Sequence, residues 1–354
     1  MVNQQSPNQR RLLGLGAGIV CGLVGLTGCV GTKPGDKAGN SNGEPQQLLL
    51  VSYAVTKSAY DRILPLFEAD WKAKTGQTLR IKTSYGGSGS QTRAVIDGLE
   101  ADVVGLALGG DVLKIQKAGL IKPGWQQELP QNATITHSVV ALITRPGNPK
   151  GINSWSDLAK PGIKVVTANP KTSGGARWNL LGLWGSVTQK GGSDSQARRF
   201  LSQVYGNVES LPRDAREASD VFLKRGLGDV LLNYENEAIQ ARKSGELKQP
   251  FVVPDLNIRI DGPIAVVDSN VDRHGTRKAA EALAVYLQGE KAQQIFAEEG
   301  FRPVNAKVWS QVSGRFASVK QLFNVEDFGG WKQVNSTFFG DGGLWDQLFK
   351  QRRR

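Results

Sequence analysis

The chain has 354 residues, enough to bury a sizeable core and to form two domains. With 39% apolar and 21% charged residues, its composition is that of a soluble globular protein and excludes a disordered or fibrous one. Its 44 basic residues against 32 acidic give a formal net charge of +12, a balance that favours anionic partners.

At the N-terminus, Arg10 and Arg11 precede LLGLGAGIVCGLVGL, which is too short and too Gly-rich for a membrane span and is expected to be a secretory signal, residues 1–28. It ends in Leu26-Thr27-Gly28-Cys29, which resembles the bacterial lipobox, so Cys29 is the expected site of a lipid anchor. Residues 29–45 then form a Gly-rich polar tether between membrane and folded body. Cys21 leaves with the signal, and the body is left without a thiol. Disulfides, zinc–cysteine sites and cysteine nucleophiles are thereby excluded from it.

Downstream, short apolar strand candidates alternate with amphipathic helix candidates, the pattern of an α/β protein with mostly parallel sheets. LLLVSY, Leu48 to Tyr53, leads into SAYDRILPLFEADWKAK, whose Tyr60, Ile63, Leu64, Phe67 and Trp71 fall on one helical face. Pro65 inside it predicts a kink. LRIKTSY is followed by a helix from Ser90, and ADVVGLAL by one near Val112 to Ala118. The pattern repeats through VVALIT, KVVTA, GDVLLNY and PIAVVDS, and two such runs suggest two lobes.

Three strand-to-helix junctions share one design. They are Tyr85-Gly86-Gly87-Ser88-Gly89-Ser90, Thr172-Ser173-Gly174-Gly175 and Asp214-Ala215-Arg216. The first turn of a helix leaves backbone N–H groups unpaired at the positive end of the dipole, glycine admits a ligand to the backbone, and a serine adds a hydroxyl donor. Singly, each junction is better explained by an N-cap and turn. Together, on a basic secreted chain, they point to a bound oxyanion. GGSGS lacks the Lys-Ser/Thr ending of a P-loop, and no G-x-G-x-x-G opens the first helix, so no nucleotide or other cofactor is expected. His137 and His274 stand apart from metal-ligand or nucleophile partners, so neither a metal nor an enzyme activity is expected. The basic residues are scattered apart from the tail Lys350-Gln351-Arg352-Arg353-Arg354, and nucleic acid is not an expected partner.

LLLVSY, YGGSGSQ, GLEADVVGLALGGDV, NPKTSGGARWN, GLGDVLLNYENEA and EDFGGW together resemble the periplasmic sulfate-binding proteins of ABC importers, from about Leu48 to the C-terminus. SGGAR looks more like the sulfate-binding branch than the thiosulfate-binding one. The resemblance implies a type II two-lobed periplasmic binding protein, hinged by two crossing strands, monomeric, that captures sulfate and hands it to a membrane permease. It places the crossings at His137 to Arg145 and Gly262 to Ser269, giving lobe I as 46–138 plus 263–354 and lobe II as 139–262. It also implies sulfate ligands at Ser88, Ser173, Gly174, Gly175 and Ala215, with Tyr234 where the family has a tryptophan. Arg177 and Arg216 would support the site electrostatically. Asp214, an acid where the family tends to a small residue, is expected to cap its helix and face away from an anion. The alternative ligands are thiosulfate, molybdate or phosphate.

Overall fold

The computed structural model describes residues 44–352. The signal, Cys29 and most of the expected tether lie outside the described residues, as do Arg353 and Arg354.

The first run of elements is β1 (Gln46–Tyr53), α1 (Lys57–Thr75), β2 (Leu79–Gly86), α2 (Ser88–Ile96), β3 (Val103–Gly105) and α3 (Gly109–Lys117). After α4 (Pro130–Ala133) and β4 (Thr134–Ser138), a second run follows. It comprises β5 (Val140–Thr144), β6 (Val165–Val166), α5 (Gly174–Thr188), α6 (Asp194–Gly206), β7 (Val208–Ser210), α7 (Ala215–Leu223), β8 (Val230–Tyr234) and α8 (Glu235–Lys243). The chain then passes through β9 (Leu256–Ile258) and β10 (Ile260–Val266) to α9 (Asp268–His274), α10 (Arg277–Gln288), α11 (Glu290–Glu298), β11 (Arg302–Pro303) and α12 (Ala306–Val312). It ends with β12 (Gln321–Phe323), α13 (Gly330–Val334) and α14 (Leu344–Arg352).

These strands form a six-stranded sheet ordered β11-β4-β10-β3-β1-β2, a four-stranded sheet ordered β5-β8-β6-β7, and a small pair of β12 with β9. β1 runs parallel to β2 and β3, and β6 runs parallel to β7 and β8. β10 and β5 run antiparallel to their neighbours. Leu50, Val51, Val103 and Val104 are fully buried in the large sheet, and Val165, Val230 and Leu231 in the small one. Such continuous apolar runs are what strands covered on both faces require.

The chain leaves the large sheet between β4 and β5 and returns to it between β9 and β10. β4 and β5 are separated only by Val139, and β9 and β10 only by Arg259. Buried Asn257 clips the two crossings together, donating to the Val140 carbonyl at 2.9 Å and accepting the Val140 N–H at 3.1 Å. This is a mixed α/β, two-lobed architecture with the crossings side by side.

Local expectations hold unevenly. Tyr60, Ile63, Leu64, Phe67 and Trp71 bury the predicted face of α1, and Pro65 sits on the exposed side of a helix that continues through it. There the freed carbonyl can meet water. Helix α2 begins at Ser88, two residues earlier than predicted, and KVVTA yields only the two-residue strand β6. The C-terminal elements turn back onto the second run: Trp345 packs edge-on against Tyr205 at 5.1 Å, and Phe338 against Trp184 at 5.1 Å. Helix α5 is consequently buried almost all round, which explains why its sequence is apolar without a polar stripe.

Candidate functional site

The three junctions converge. Tyr53, Ala54, Gly86, Gly87, Ser88 and Ala107 from the large-sheet side and Ser173, Gly174, Gly175, Asp214, Ala215 and Tyr234 from the small-sheet side wall one cavity of about 10 Å³. That is about the room one water needs and far below the roughly 300–1,000 Å³ of pockets for drug-sized ligands, so only a small ligand held tightly between the walls suits it. Ser88, Ser173, Ala215 and Tyr234 are all buried, and a ligand here is shielded from water.

Each wall group follows from its element. Ser173 is the N-cap of α5, accepting the Ala176 N–H at 3.3 Å, which leaves its own O–H to donate. Gly174 and Gly175 are the first two residues of that helix, where N–H groups have no intrahelical acceptor. Ala215 holds the same place at the start of α7. Asp214 caps α7, its Oδ1 accepting the Glu217 N–H at 2.9 Å. Helices α2, α5 and α7 thus all begin in the wall and turn the positive ends of their dipoles to it, which is the electrostatics an oxyanion requires.

The glycines are demanded by proximity. A Cβ on Gly174 would stand 2.6 Å from the Ala107 Cβ and 3.1 Å from that of Ser88, both contributed by the opposite wall. A Cβ on Gly175 would stand 2.6 Å from the Tyr234 ring. The Tyr234 hydroxyl therefore lies over the first turn of α5. It is buried and has no hydrogen-bond partner among the protein atoms. Burial foremost, then the nearby Tyr53, Glu237 and Asp111, push its pKa well up, so the phenol stays protonated and able to donate.

Ser88 behaves differently from a free donor. Its Oγ donates to Asp111 Oδ2 at 2.8 Å and accepts the Ala107 N–H at 3.1 Å. Arg177 and Arg216 do not line the cavity. Arg177 bonds Asp111 Oδ1 at 2.8 Å and the Pro170 carbonyl at 2.9 Å, while Arg216 pairs with Glu237 at 2.7 Å and Gln240 at 2.7 Å. His137 is held by Asp261 at 2.7 Å and His274 by Asp102 at 2.8 Å, both outside the cavity wall.

Sequence patterns missed Asp111 and Trp178. Asp111 is fully buried and gathers Ser88, Arg177 and Lys114; burial alone would raise its pKa, but Arg177 and Lys114 prevail and hold it below the ordinary carboxylate range. The Trp178 indole donates to the Ala107 carbonyl at 2.7 Å, and the Gly89 N–H to the Thr172 carbonyl at 3.0 Å, further bonds between the two walls. An acid within the apolar run VVGLALGGDV was the available signal for Asp111.

Residues 48–302 match the family model described as bacterial extracellular solute-binding protein. A sulfate-binding protein of Synechococcus elongatus is 55% identical over 327 residues, 92% of each chain. That of Escherichia coli K12 is 41% identical over 307 residues, 86% of this chain and 93% of that one, and the thiosulfate-binding protein of the same organism is 38% identical over 312 residues, 87% and 92%. Among solved structures, a sulfate-binding protein of Mycobacterium tuberculosis superposes with a TM-score of 0.76 at 34% identity, covering 83% of this chain and all of the other.

Proposed function

The chain belongs to the bacterial extracellular solute-binding protein family, and from that premise we propose that it captures sulfate between its two lobes and delivers it to an ABC permease. It is a transport protein and not an enzyme, as its relatives are. The observation that carries this proposal is the small buried cavity at which three helices start. Its ligands are Ser173 through its hydroxyl, Gly174, Gly175 and Ala215 through first-turn N–H groups, and Tyr234 through its phenol. Ser88 joins them when its hydroxyl exchanges Asp111 for the anion. Sulfate has no proton to give at neutral pH, so a wall of donors suits it. No Lys or Arg need touch the ion, because bonds from several N–H groups to a charged oxygen are strong where water is excluded. Arg177 and Arg216 act from behind, one through Asp111 and the other through Glu237.

Lobe I comprises 46–138 plus 263–354 and lobe II 139–262; of the last elements, β12 pairs with β9 and Phe338 and Trp345 pack on α5 and α6, all of lobe II, while Trp331 packs on Gly109 and Gly110 of lobe I. The protein acts as a monomer in the periplasm, tethered by lipid on Cys29. Competition titration of the purified protein with sulfate, thiosulfate, molybdate and phosphate tests the ligand: sulfate should bind tightest with one ion per chain, and tighter thiosulfate or molybdate would overturn the assignment. Labelling with a radioactive fatty acid tests the anchor, and Cys29→Ser should abolish incorporation and release the protein from membranes.

A further inference from the structure

The hydroxyl oxygens of the cavity wall, on Ser88, Ser173 and Tyr234, hold lone pairs that a set of backbone donors lacks. Tyr234 Oη stands 3.0 Å from the place a Cβ on residue 175 would take, with no partner of its own. Ser88 Oγ donates its O–H to Asp111 and accepts one N–H, from Ala107, which leaves it a second lone pair. The carboxylate in the wall, Asp214, is engaged elsewhere, with one oxygen on the Glu217 N–H and the other 3.7 Å from the Arg213 guanidinium.

A backbone N–H cannot reverse its polarity, but a phenolic O–H turns about its C–O bond. Resting on the capture of an oxyanion proposed above, we infer that Tyr234 sets the selectivity of the cavity: its oxygen accepts from a singly protonated oxyanion while its proton goes to a second oxygen of the same ligand, so hydrogen phosphate competes with sulfate in this protein. In a wall of donors alone, the ligand's O–H would be buried without an acceptor, and sites of that kind reject a mismatched ligand strongly. Tyr234 removes that mismatch. The ring is fixed for the task, seated on Gly175 and tilted against Tyr53 at 6.1 Å, so only the hydroxyl proton has to move.

The test is a calorimetric competition between sulfate and inorganic phosphate near neutral pH with the purified protein and three variants. Tyr234→Trp keeps a donor and removes the acceptor whose own bonds are otherwise unmade, leaving only the hydroxyls of Ser88 and Ser173, each already engaged. It should hold sulfate within about tenfold of the parent and weaken phosphate by at least about tenfold more. Tyr234→Phe, the variant least disturbing to packing, removes donor and acceptor together and should weaken sulfate by roughly tenfold and phosphate by at least about tenfold more. Asp214→Asn should leave the ratio of the two affinities within about threefold of the parent's, because its carboxylate faces the helix. Thermal unfolding of each ligand-free variant identifies any that fails to fold, and the comparison of parent with Tyr234→Phe stands without Tyr234→Trp. Sulfate binding with no phosphate competition in the parent overturns the Tyr234 assignment and leaves sulfate capture standing, as does a ratio moved by Asp214→Asn and not by Tyr234→Trp. Phosphate binding that depends on Tyr234, with no sulfate binding, overturns sulfate capture and leaves the Tyr234 assignment standing.

Discussion

Two adjacent glycines separate closure from folding. The atoms that a Gly174 Cβ would strike belong to Ala107, Leu108 and Ser88 on the other wall, whereas those a Gly175 Cβ would strike belong to Tyr234 of the neighbouring strand in the same lobe. Gly174→Ala should therefore leave the unfolding midpoint of the ligand-free protein within about a degree or two while weakening sulfate binding by at least roughly a hundredfold, since the lobes can no longer meet. Gly175→Ala should lower both, and calorimetry paired with thermal unfolding distinguishes them. Asp111 supplies the second residue-level case. Its pair with Arg177 is fully buried, and removing one partner of such a pair costs about 3–5 kcal/mol because a charge is left uncompensated. Asp111→Asn should lower the unfolding midpoint of the sulfate-saturated form far more than that of the ligand-free form. The pH sign follows from the depressed pKa: the contribution is complete above the ordinary aspartate range near 4 and is lost only as pH falls through the lower folded value. Acid titration of the parent's unfolding free energy should show a loss below about pH 4 that Asp111→Asn lacks.

Helix α7 illustrates what an element owes to its cap. Asp214 is buried, extended at φ −148° and ψ 174°, and satisfies the Glu217 N–H, so Asp214→Ala should cost about 1 kcal/mol in chemical denaturation. It should weaken sulfate binding as well, because a frayed first turn no longer holds the Ala215 N–H toward the cavity. That geometry was legible from Asp-Ala-Arg-Glu alone, as was the Ser173 cap, because caps are local and their residue types are few. The apolar faces of α1 and of the long strands were legible for the same reason, through periodicity. Contacts across the chain were not. Asp111 and Arg177 are 66 positions apart, as their sequence numbers show, and nothing near either one indicates the other. The Ser88 hydroxyl suited an anion by sequence, yet the structure commits it to a carboxylate that only the folded arrangement brings near. β6 shrank to two residues because the segment after Val166 is drawn toward the start of α5, with Asn169 accepting from Thr172 and Ser173.

At the scale of the whole molecule, the two sides of the cavity are bonded to each other, the arrangement expected of the closed form of the proposed binding protein. The crossings lie side by side under Asn257, while at the cavity Arg177 to Asp111, Trp178 to Ala107, and Thr172 to Gly89 join the two walls. These bonds are all distant from the crossings in sequence and must break together when a rigid lobe swings about a hinge. An ion that accepts from donors on both walls would add bonds to that same interface and so stabilise the closed state by its differential affinity. Without the ion, buried Asp111 and Arg177 gain water on opening, and the balance shifts the other way. Trp178 reports on this directly. Its indole is 1% exposed in the closed state, wedged edge-on against Trp331 at 4.8 Å and bonded to Ala107 across the cleft. Opening removes Ala107 and admits water to one edge of the ring. Sulfate should therefore shift the protein's tryptophan emission to shorter wavelength and reduce the radius of gyration by X-ray scattering. Trp178→Phe should retain the change in radius and lose most of the spectral shift. A full shift in that variant would assign the signal to another tryptophan, and no change of radius in the parent would mean that the lobes do not move when the ion binds.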